Sequence, residues 1–114
     1  MSLVTFNNIA YNTNRLSLLG GVYFEPVEGR RELLGVDPTE VLNAPVRSQD
    51  APVTLDTTKG SLTVNKDDII RVTPQGDRCI LEYFDGRIET VIAKHNLDYI
   101  VYLVNTVEDV SDLL

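Results

Sequence analysis

The chain has 114 residues, of which 43% are hydrophobic and 24% are charged, and its formal net charge is −7 at pH 7. This size and balance fit one folded globular domain and exclude a disordered chain, and no apolar run reaches the roughly 18 residues of a membrane-spanning helix. Ten basic residues against seventeen acidic ones also disfavour nucleic acid and anionic membranes as partners, because both are bound through Lys and Arg.

Residues 1–36 are rich in Asn, Gly and β-forming residues, and we predict that they form an N-terminal β extension. The segments 22–24 and 32–34 lie on either side of a Glu-Gly turn at 28–29, which predicts a hairpin. Pro26 has no N–H to donate to a sheet, so it predicts an edge strand or a bulge within that hairpin.

Residues 37–114 are predicted to form the main domain, with a short helix at its start, so that the chain is a single globular unit. Asp37 is a candidate N-cap, Pro38 fits the first helical position, and Glu40 follows the cap by three residues. Pro45 ends this helix, and the polar residues after it indicate a loop.

Turn signals recur about every ten residues through the next part of the chain, which is the spacing of a small antiparallel barrel or sandwich. The predicted strands are 53–57, 61–72, 77–84, 87–94 and 98–105. The last of them is ambiguous, because its apolar residues also follow helical spacing after Asn96, a candidate cap. The β-branched and aromatic residues at 99–104 favour a strand with a short helical end over one long helix.

Asp85-Gly86 lies between two alternating apolar segments, which is a strong signal for a two-residue hairpin turn. This turn predicts that Glu82 faces Glu89. One side of the hairpin is then the core side, with Cys79, Leu81, Tyr83, Ile88, Thr90 and Ile92. The other side mixes charged and apolar residues: Ile80, Glu82, Phe84, Arg87, Glu89 and Val91.

Three interpretations of that mixed side stay open. It is a solvated face, or a contact surface on which Phe84 and Ile80 pack against a partner, or a cation site formed by Glu82, Asp85 and Glu89. Directly opposed Glu82 and Glu89 repel each other, so their presence needs a compensating cation. The contact surface satisfies this need with a basic residue of the partner, and we name the six residues of the mixed side as the candidate interface.

The sequence contains no motif that predicts catalysis, a cofactor or a metal site. His95 is the only histidine, and its neighbours indicate a loop or cap residue. Cys79 is the only cysteine, so an internal disulfide and a cysteine zinc site are excluded, and a small buried residue is favoured over a nucleophile. A lone cysteine indicates a reducing compartment. The N-terminal segment "MSLVTFNNIAYN" has no basic region and no long apolar region, so no secretory signal is expected and we predict a cytoplasmic protein.

The segment "ILEYFDGRIETVIAKHNLDYIVYLV" resembles the strand–turn–strand–strand course of Sm-like and other SH3-like small β-barrel proteins. The resemblance covers residues 53–104. It implies a barrel of about five antiparallel strands and a ring-shaped homo-oligomer joined by edge strands. Because viral and phage genomes carry acidic members of such folds, it also allows a phage origin and a place in a virion. The region 60–104 resembles LytTR-type DNA-binding domains as well, but basic residues are sparse there.

The sequence therefore predicts a mainly β, non-enzymatic structural or protein-interaction module that works as a homo-oligomer or binds a protein partner. Two alternatives stay open, a nucleic-acid-binding small barrel and a small-ligand or metal-binding protein that uses acidic residues. No cofactor is expected.

Overall fold

The computed structural model describes residues 3–18, 20–39, 51–84, 86–92 and 94–105. Within these ranges the chain forms ten β-strands, two short 3₁₀ turns (Thr13–Arg15 and Lys66–Asp68) and an α-helix of nine residues, and Pro38 and Thr39 are the first helical residues of the predicted short helix. The elements are β1 (Leu3–Phe6), β2 (Ile9–Asn12), β3 (Leu16–Ser17), β4 (Tyr23–Val27), β5 (Arg30–Leu33), β6 (Pro52–Thr57), β7 (Gly60–Asn65), β8 (Ile69–Gln75), β9 (Arg78–Tyr83), β10 (Arg87–Val91) and α1 (Leu97–Asn105).

Two antiparallel sheets are present in the described residues, so the prediction of a mainly antiparallel β protein is confirmed. The large sheet has seven strands in the order β1-β2-β8-β9-β10-β6-β7, and the small sheet has the order β3-β4-β5. The first hairpin, β1–β2, pairs with β8 through Ala10–Val72 and Tyr11–Arg71, which makes it part of the large sheet. The division at residue 36 stays a prediction.

The predicted closed barrel of about five strands is not formed by the described residues. Strands β6 to β10 follow the course of such a barrel, since β10 returns to pair with β6 at Val91–Thr57. Closure needs β7 beside β8, but β2 occupies that edge of β8. The predicted strand 61–72 is also interrupted, because Asn65 accepts a hydrogen bond from the Asp67 N–H and caps the 3₁₀ turn Lys66–Asp68. The sheet therefore stays open between β7 and β8.

The preference for a strand at 98–105 is wrong, because α1 occupies these residues. The Asn96 side chain accepts a hydrogen bond from the Tyr99 N–H at 2.8 Å and caps the helix start. Leu97, Ile100 and Val104 recur at helical spacing and are all buried. Burial of this stripe outweighs the β-propensity of the same segment. The predicted helical end beyond residue 105 lies outside the described residues.

The large sheet has an apolar cluster on each side, so the described residues form three layers. On one side, here called the helix face, Leu55, Leu81 and Val91 belong to the same buried cluster as Leu97 and Ile100 of α1. On the other side, here called the small-sheet face, Tyr11 packs edge-on against Phe24 of β4, with 4.8 Å between ring centroids.

The small sheet confirms the predicted hairpin around residues 28–29. β4 pairs with β5 through Tyr23–Leu33 and Val27–Arg30, and the register shifts between Phe24 and Val27, where Pro26 lies. The predicted bulge is therefore present. Downstream, Asp37 accepts a hydrogen bond from the Thr39 N–H at 3.0 Å, as an N-cap does, and the bond lowers the pKa of the Asp37 carboxyl. The rest of the predicted helix lies outside the described residues.

Two groups in the clusters predict a loss of stability in alkali. Burial raises the pKa of the Tyr11 phenol above 10.0, with Arg71 opposing and Glu32 and Glu82 assisting, and burial raises the pKa of the Cys79 thiol above 9.0. Both groups favour the fold while protonated, so their stabilisation is complete below pH 9 and is lost as the pH rises through the folded-state values. Urea unfolding midpoints should therefore fall above about pH 9.

The matched variants are Cys79→Ala and Tyr11→Phe. In each of them the urea unfolding midpoint should decrease less between pH 9 and higher pH than it does in the parent. A variant pair with the same alkaline slope as the parent would show that these two groups do not titrate during unfolding.

Candidate interaction site

The candidate site is the outer edge of β7. The hydrogen bonds between β6 and β10 determine which backbone groups of β7 point outward. The Thr58 N–H donates to the Thr90 carbonyl at 3.0 Å, and the Ile92 N–H donates to the Asp56 carbonyl at 3.1 Å. The backbone groups of Asp56 in β6 and of Thr58 just after it therefore point toward β10. Because backbone direction alternates along a strand, residues 53, 55 and 57 must face β7.

The pairing of β6 with β7 carries this alternation to the edge. Leu55 pairs with Leu62, and Val53 pairs with Val64. The backbone N–H and C=O groups of Leu62 and Val64 therefore bond to β6. The backbone groups of Ser61, Thr63 and Asn65 then point away from β6. Among the described residues no strand pairs with this side of β7.

β7 itself has no charged residue, proline or bulge, which are three features that protect edge strands in natural proteins. Its sequence, GSLTVN, contains no charged residue and no proline, and its six pairs with β6 run without a bulge. Natural proteins place Lys, Pro or a bulge on free edges, because a flat uncharged edge is a template for another strand. Within the described residues, this edge therefore has the composition and the regular pairing of such a template.

The opposite end of the large sheet is protected. The Leu3 N–H donates to Asn105 Oδ1 at 2.7 Å, and Asn105 Nδ2 donates to the Leu3 carbonyl at 3.0 Å. These groups of Leu3 point away from β2, so the end of α1 covers them. Thr5 is then the one residue of β1 whose outward backbone groups have no partner among the described residues.

A cleft of about 240 Å³ lies between β7 and the residues around the β9–β10 loop, and we call it the seam. Its lining residues are Leu62, Thr63, Val64, Asn65, Asp68, Tyr83, Phe84 and Arg87. Phe84 is 53% exposed, and the Arg87 guanidinium lies 5.3 Å from its ring centroid. An aromatic ring exposed beside an unpaired strand edge is a typical contact residue.

Phe84 has a left-handed backbone, with φ at 59°, which is uncommon for a bulky residue. Its N–H donates to the Asp68 carbonyl at 2.6 Å, which ties the β9–β10 loop to the end of the 3₁₀ turn after β7. This bond holds the exposed ring at the seam.

The predicted hairpin register is wrong by one residue. Arg87 pairs with Tyr83 and Val91 pairs with Cys79, so three residues, 84–86, connect β9 to β10 instead of two. The left-handed Phe84 takes the additional loop position. A one-residue shift turns every side chain of one strand to the other face, so the predicted faces of β10 are exchanged.

The shift separates the six candidate interface residues. Phe84 and Arg87 lie at the seam, whereas Val91 is fully buried on the helix face. Glu89 pairs with Leu81 and so lies on the helix face, half-buried, and Glu82 lies opposite Ile88 on the small-sheet face. The predicted Glu82–Glu89 opposition therefore does not occur.

Ile80 is half-buried and shares the small-sheet face with Glu82. Asp85, the turn residue and third member of the predicted cation site, lies outside the described residues.

Glu82 instead has an intramolecular partner. Arg71 donates from Nε to Glu82 Oε1 at 2.7 Å, from Nη2 to Glu82 Oε2 at 3.1 Å, and from Nη1 to Glu32 Oε2 at 3.0 Å. Burial alone would lower the pKa of Arg71, but the bonds and charges of Glu82 and Glu32 outweigh burial and raise it. The network fastens β5 onto the large sheet at the edge of a cleft of about 550 Å³.

His95 is buried, and among the described residues no hydroxyl or thiol is hydrogen-bonded to its imidazole. Its Nε2 lies 3.6 Å from Asp56 Oδ2, and in the described residues its Nδ1 has no hydrogen-bond partner. A triad needs a hydroxyl or thiol bonded to the imidazole. Hydrogen bonds from Lys94 and Ser61 lower the pKa of the Asp56 carboxyl, which also forms an ion pair with Lys94 at 3.3 Å.

The predicted single strand 61–72 gives no indication that Ser61, Thr63 and Asn65 lie on a free edge. A local signal for the break is present, since Asn65 before Lys66-Asp67-Asp68 repeats the arrangement of Asn12 before Thr13-Asn14-Arg15. Both asparagines accept a hydrogen bond from the N–H two residues later and cap a 3₁₀ turn.

No protein-family model, no curated protein and no solved structure matches the chain. In the part of the chain that the structure describes, no helix has the length and apolar character needed to cross a membrane.

Proposed function

We propose that the protein is a non-enzymatic interaction module that self-associates by adding a strand of a second copy to β7. The observation that carries the proposal is the outward row of backbone groups at Ser61, Thr63 and Asn65 on an uncharged, unbroken edge. Strand addition supplies the missing partners of these groups and is a common mode of protein recognition.

The side chains around the edge support the same function. Leu62 and Val64 continue the apolar helix face up to the edge, and Phe84 exposes an aromatic ring at the adjoining seam. Each hydrogen bond contributes a net ~0.5–1.5 kcal/mol, so a few edge bonds alone make a weak complex. Burial of these apolar groups would add to that free energy.

The nucleic-acid alternative receives less support from the geometry. Three arginines, Arg30, Arg31 and Arg71, line the larger cleft, but Glu32 and Glu82 line it as well and bond to Arg71. Local phosphate binding would have to compete with these carboxylates.

Thr63→Pro tests the proposal, and we expect it to shift the solution mass from oligomer to monomer. Proline removes the N–H of Thr63, which points away from β6, so no bond of the β6–β7 ladder is lost. Light scattering at several concentrations measures the mass, and circular dichroism measures the fold. Thr63→Lys should act in the same direction, because a charged residue protects an edge.

The matched control is Thr54→Lys. Thr54 pairs with Thr63 and shares its exposed face, but it lies one strand inside the edge. This variant should keep the mass of the parent. A parent chain that is monomeric at every concentration would overturn the proposal, as would a folded Thr63→Pro variant of unchanged mass.

A further inference from the structure

We infer that the second copy binds antiparallel to β7 about a two-fold axis, with Thr63 of one copy facing Thr63 of the other. This inference rests on the proposed self-association and specifies its geometry. Three features of the edge lead to this geometry: which backbone groups point outward, which side chains face the core, and where the charges beside the strand lie.

The two faces of the sheet limit the registers that are available. Leu62 and Val64 lie on the apolar helix face, whereas Thr63 lies on the opposite, exposed face. A two-fold axis perpendicular to the sheet keeps the helix faces of both copies on one side. Residues that face each other must then come from the same face, which leaves pairings centred on residue 62, 63 or 64.

Hydrogen bonding separates these three registers. With Thr63 at the centre, the outward residues form three pairs, Ser61–Asn65, Thr63–Thr63 and Asn65–Ser61. Each pair exchanges two bonds in an antiparallel ladder, so about six bonds form. Centring on Leu62 or on Val64 leaves two such pairs within β7 and about four bonds. The Thr63 register also places Leu62 opposite Val64 on the apolar face.

The charges beside the strand favour an antiparallel arrangement. With Thr63 at the centre, Lys59 in the turn before β7 lies at the same end of the ladder as Asp67 of the other copy, in the 3₁₀ turn after β7, and symmetry repeats this at the other end. A parallel arrangement would instead bring like charges together at each end of the ladder.

The protected state of β1 favours this two-fold pairing over a ring. A ring needs each copy to present a different edge to β7 of the next copy, and the other edge of the large sheet is β1. Asn105 bonds both outward groups of Leu3, so β1 offers Thr5 alone. Pairing of β7 with β7 therefore forms more hydrogen bonds than pairing of β7 with β1, and the assembly closes as a dimer.

The test is disulfide trapping with three single variants, Leu62→Cys, Thr63→Cys and Val64→Cys, each equilibrated with oxidised glutathione. Thiol–disulfide exchange with this reagent links two cysteines of different copies and releases reduced glutathione. Facing residues of a hydrogen-bonded pair have Cα atoms about 5.5 Å apart, within the range of a disulfide. Cys79 is buried, and the parent chain is the control for its reactivity.

We expect Thr63→Cys to give a covalent dimer in at least tenfold greater yield than Leu62→Cys, Val64→Cys or the parent. Preferential trapping of Leu62→Cys or Val64→Cys would overturn the Thr63 register. A dimeric mass by light scattering without trapping at any of the three positions would overturn the two-fold geometry while the proposed self-association stands. A monomeric mass for the parent and all three variants would overturn both.

Discussion

Val91→Asp is expected to lower the free energy of unfolding by about 4 kcal/mol or more, whereas Ile88→Asp should change it by less than about 0.5 kcal/mol. Val91 is fully buried on the helix face and pairs with Cys79 and Thr57, so a carboxylate there loses its hydration without a partner. Ile88 is 60% exposed on the other face of the same strand. Urea unfolding followed by circular dichroism measures both values.

These two variants form a matched pair, because each introduces the same charge into β10 three residues apart. The hairpin register inferred from Asp85-Gly86 predicts the opposite order, with Ile88 in the core and Val91 on the outer side. A stable Val91→Asp together with an unfolded Ile88→Asp would therefore restore the two-residue loop and remove Phe84 from it.

The hairpin shows how far local sequence signals reach. The Asp-Gly turn correctly indicated that β9 and β10 pair and that Leu81 faces the core. It did not indicate the loop length, because the additional position is taken by Phe84 with a positive φ, which a bulky residue rarely adopts. The bond from the Phe84 N–H to the Asp68 carbonyl joins residues from different parts of the chain, and no local pattern predicts it.

The open sheet also depends on a contact between residues that are distant in the sequence. Turn residues predicted most of the β6–β10 hairpin connections, and Asp37 behaves as the predicted cap. Whether β7 or β2 lies beside β8 depends on a contact between residues about 60 positions apart, Tyr11 with Arg71. The candidate site follows from that choice, since β7 is left as an edge only because β2 has taken its place. Local sequence signals therefore predict that this region forms antiparallel strands, but they do not predict that β7 is the edge strand.

Asn105→Ala is expected to lower the free energy of unfolding by about 1–3 kcal/mol and to raise the solution mass above that of a dimer. The substitution removes both bonds between Asn105 and Leu3, which leaves the backbone groups of Leu3 and Thr5 unpaired along β1. In a dimer joined through β7, the outer ends of the extended sheet are two β1 edges. Uncovered β1 edges would pair with each other, and dimers would link into chains, because such pairing does not close.

Asn96→Ala is the matched control at the other end of α1. Asn96 accepts a hydrogen bond from the Tyr99 N–H, and loss of this cap should cost about 0.5–2 kcal/mol, comparable with the loss at Asn105. It leaves the Asn105–Leu3 bonds in place, so Asn96→Ala should stay dimeric at every concentration. Equal growth in mass for both variants would mean that general destabilisation drives association, and that Asn105 has no role in protecting β1. Growth confined to Asn105→Ala would establish that one asparagine decides which edge of the sheet is open to a partner.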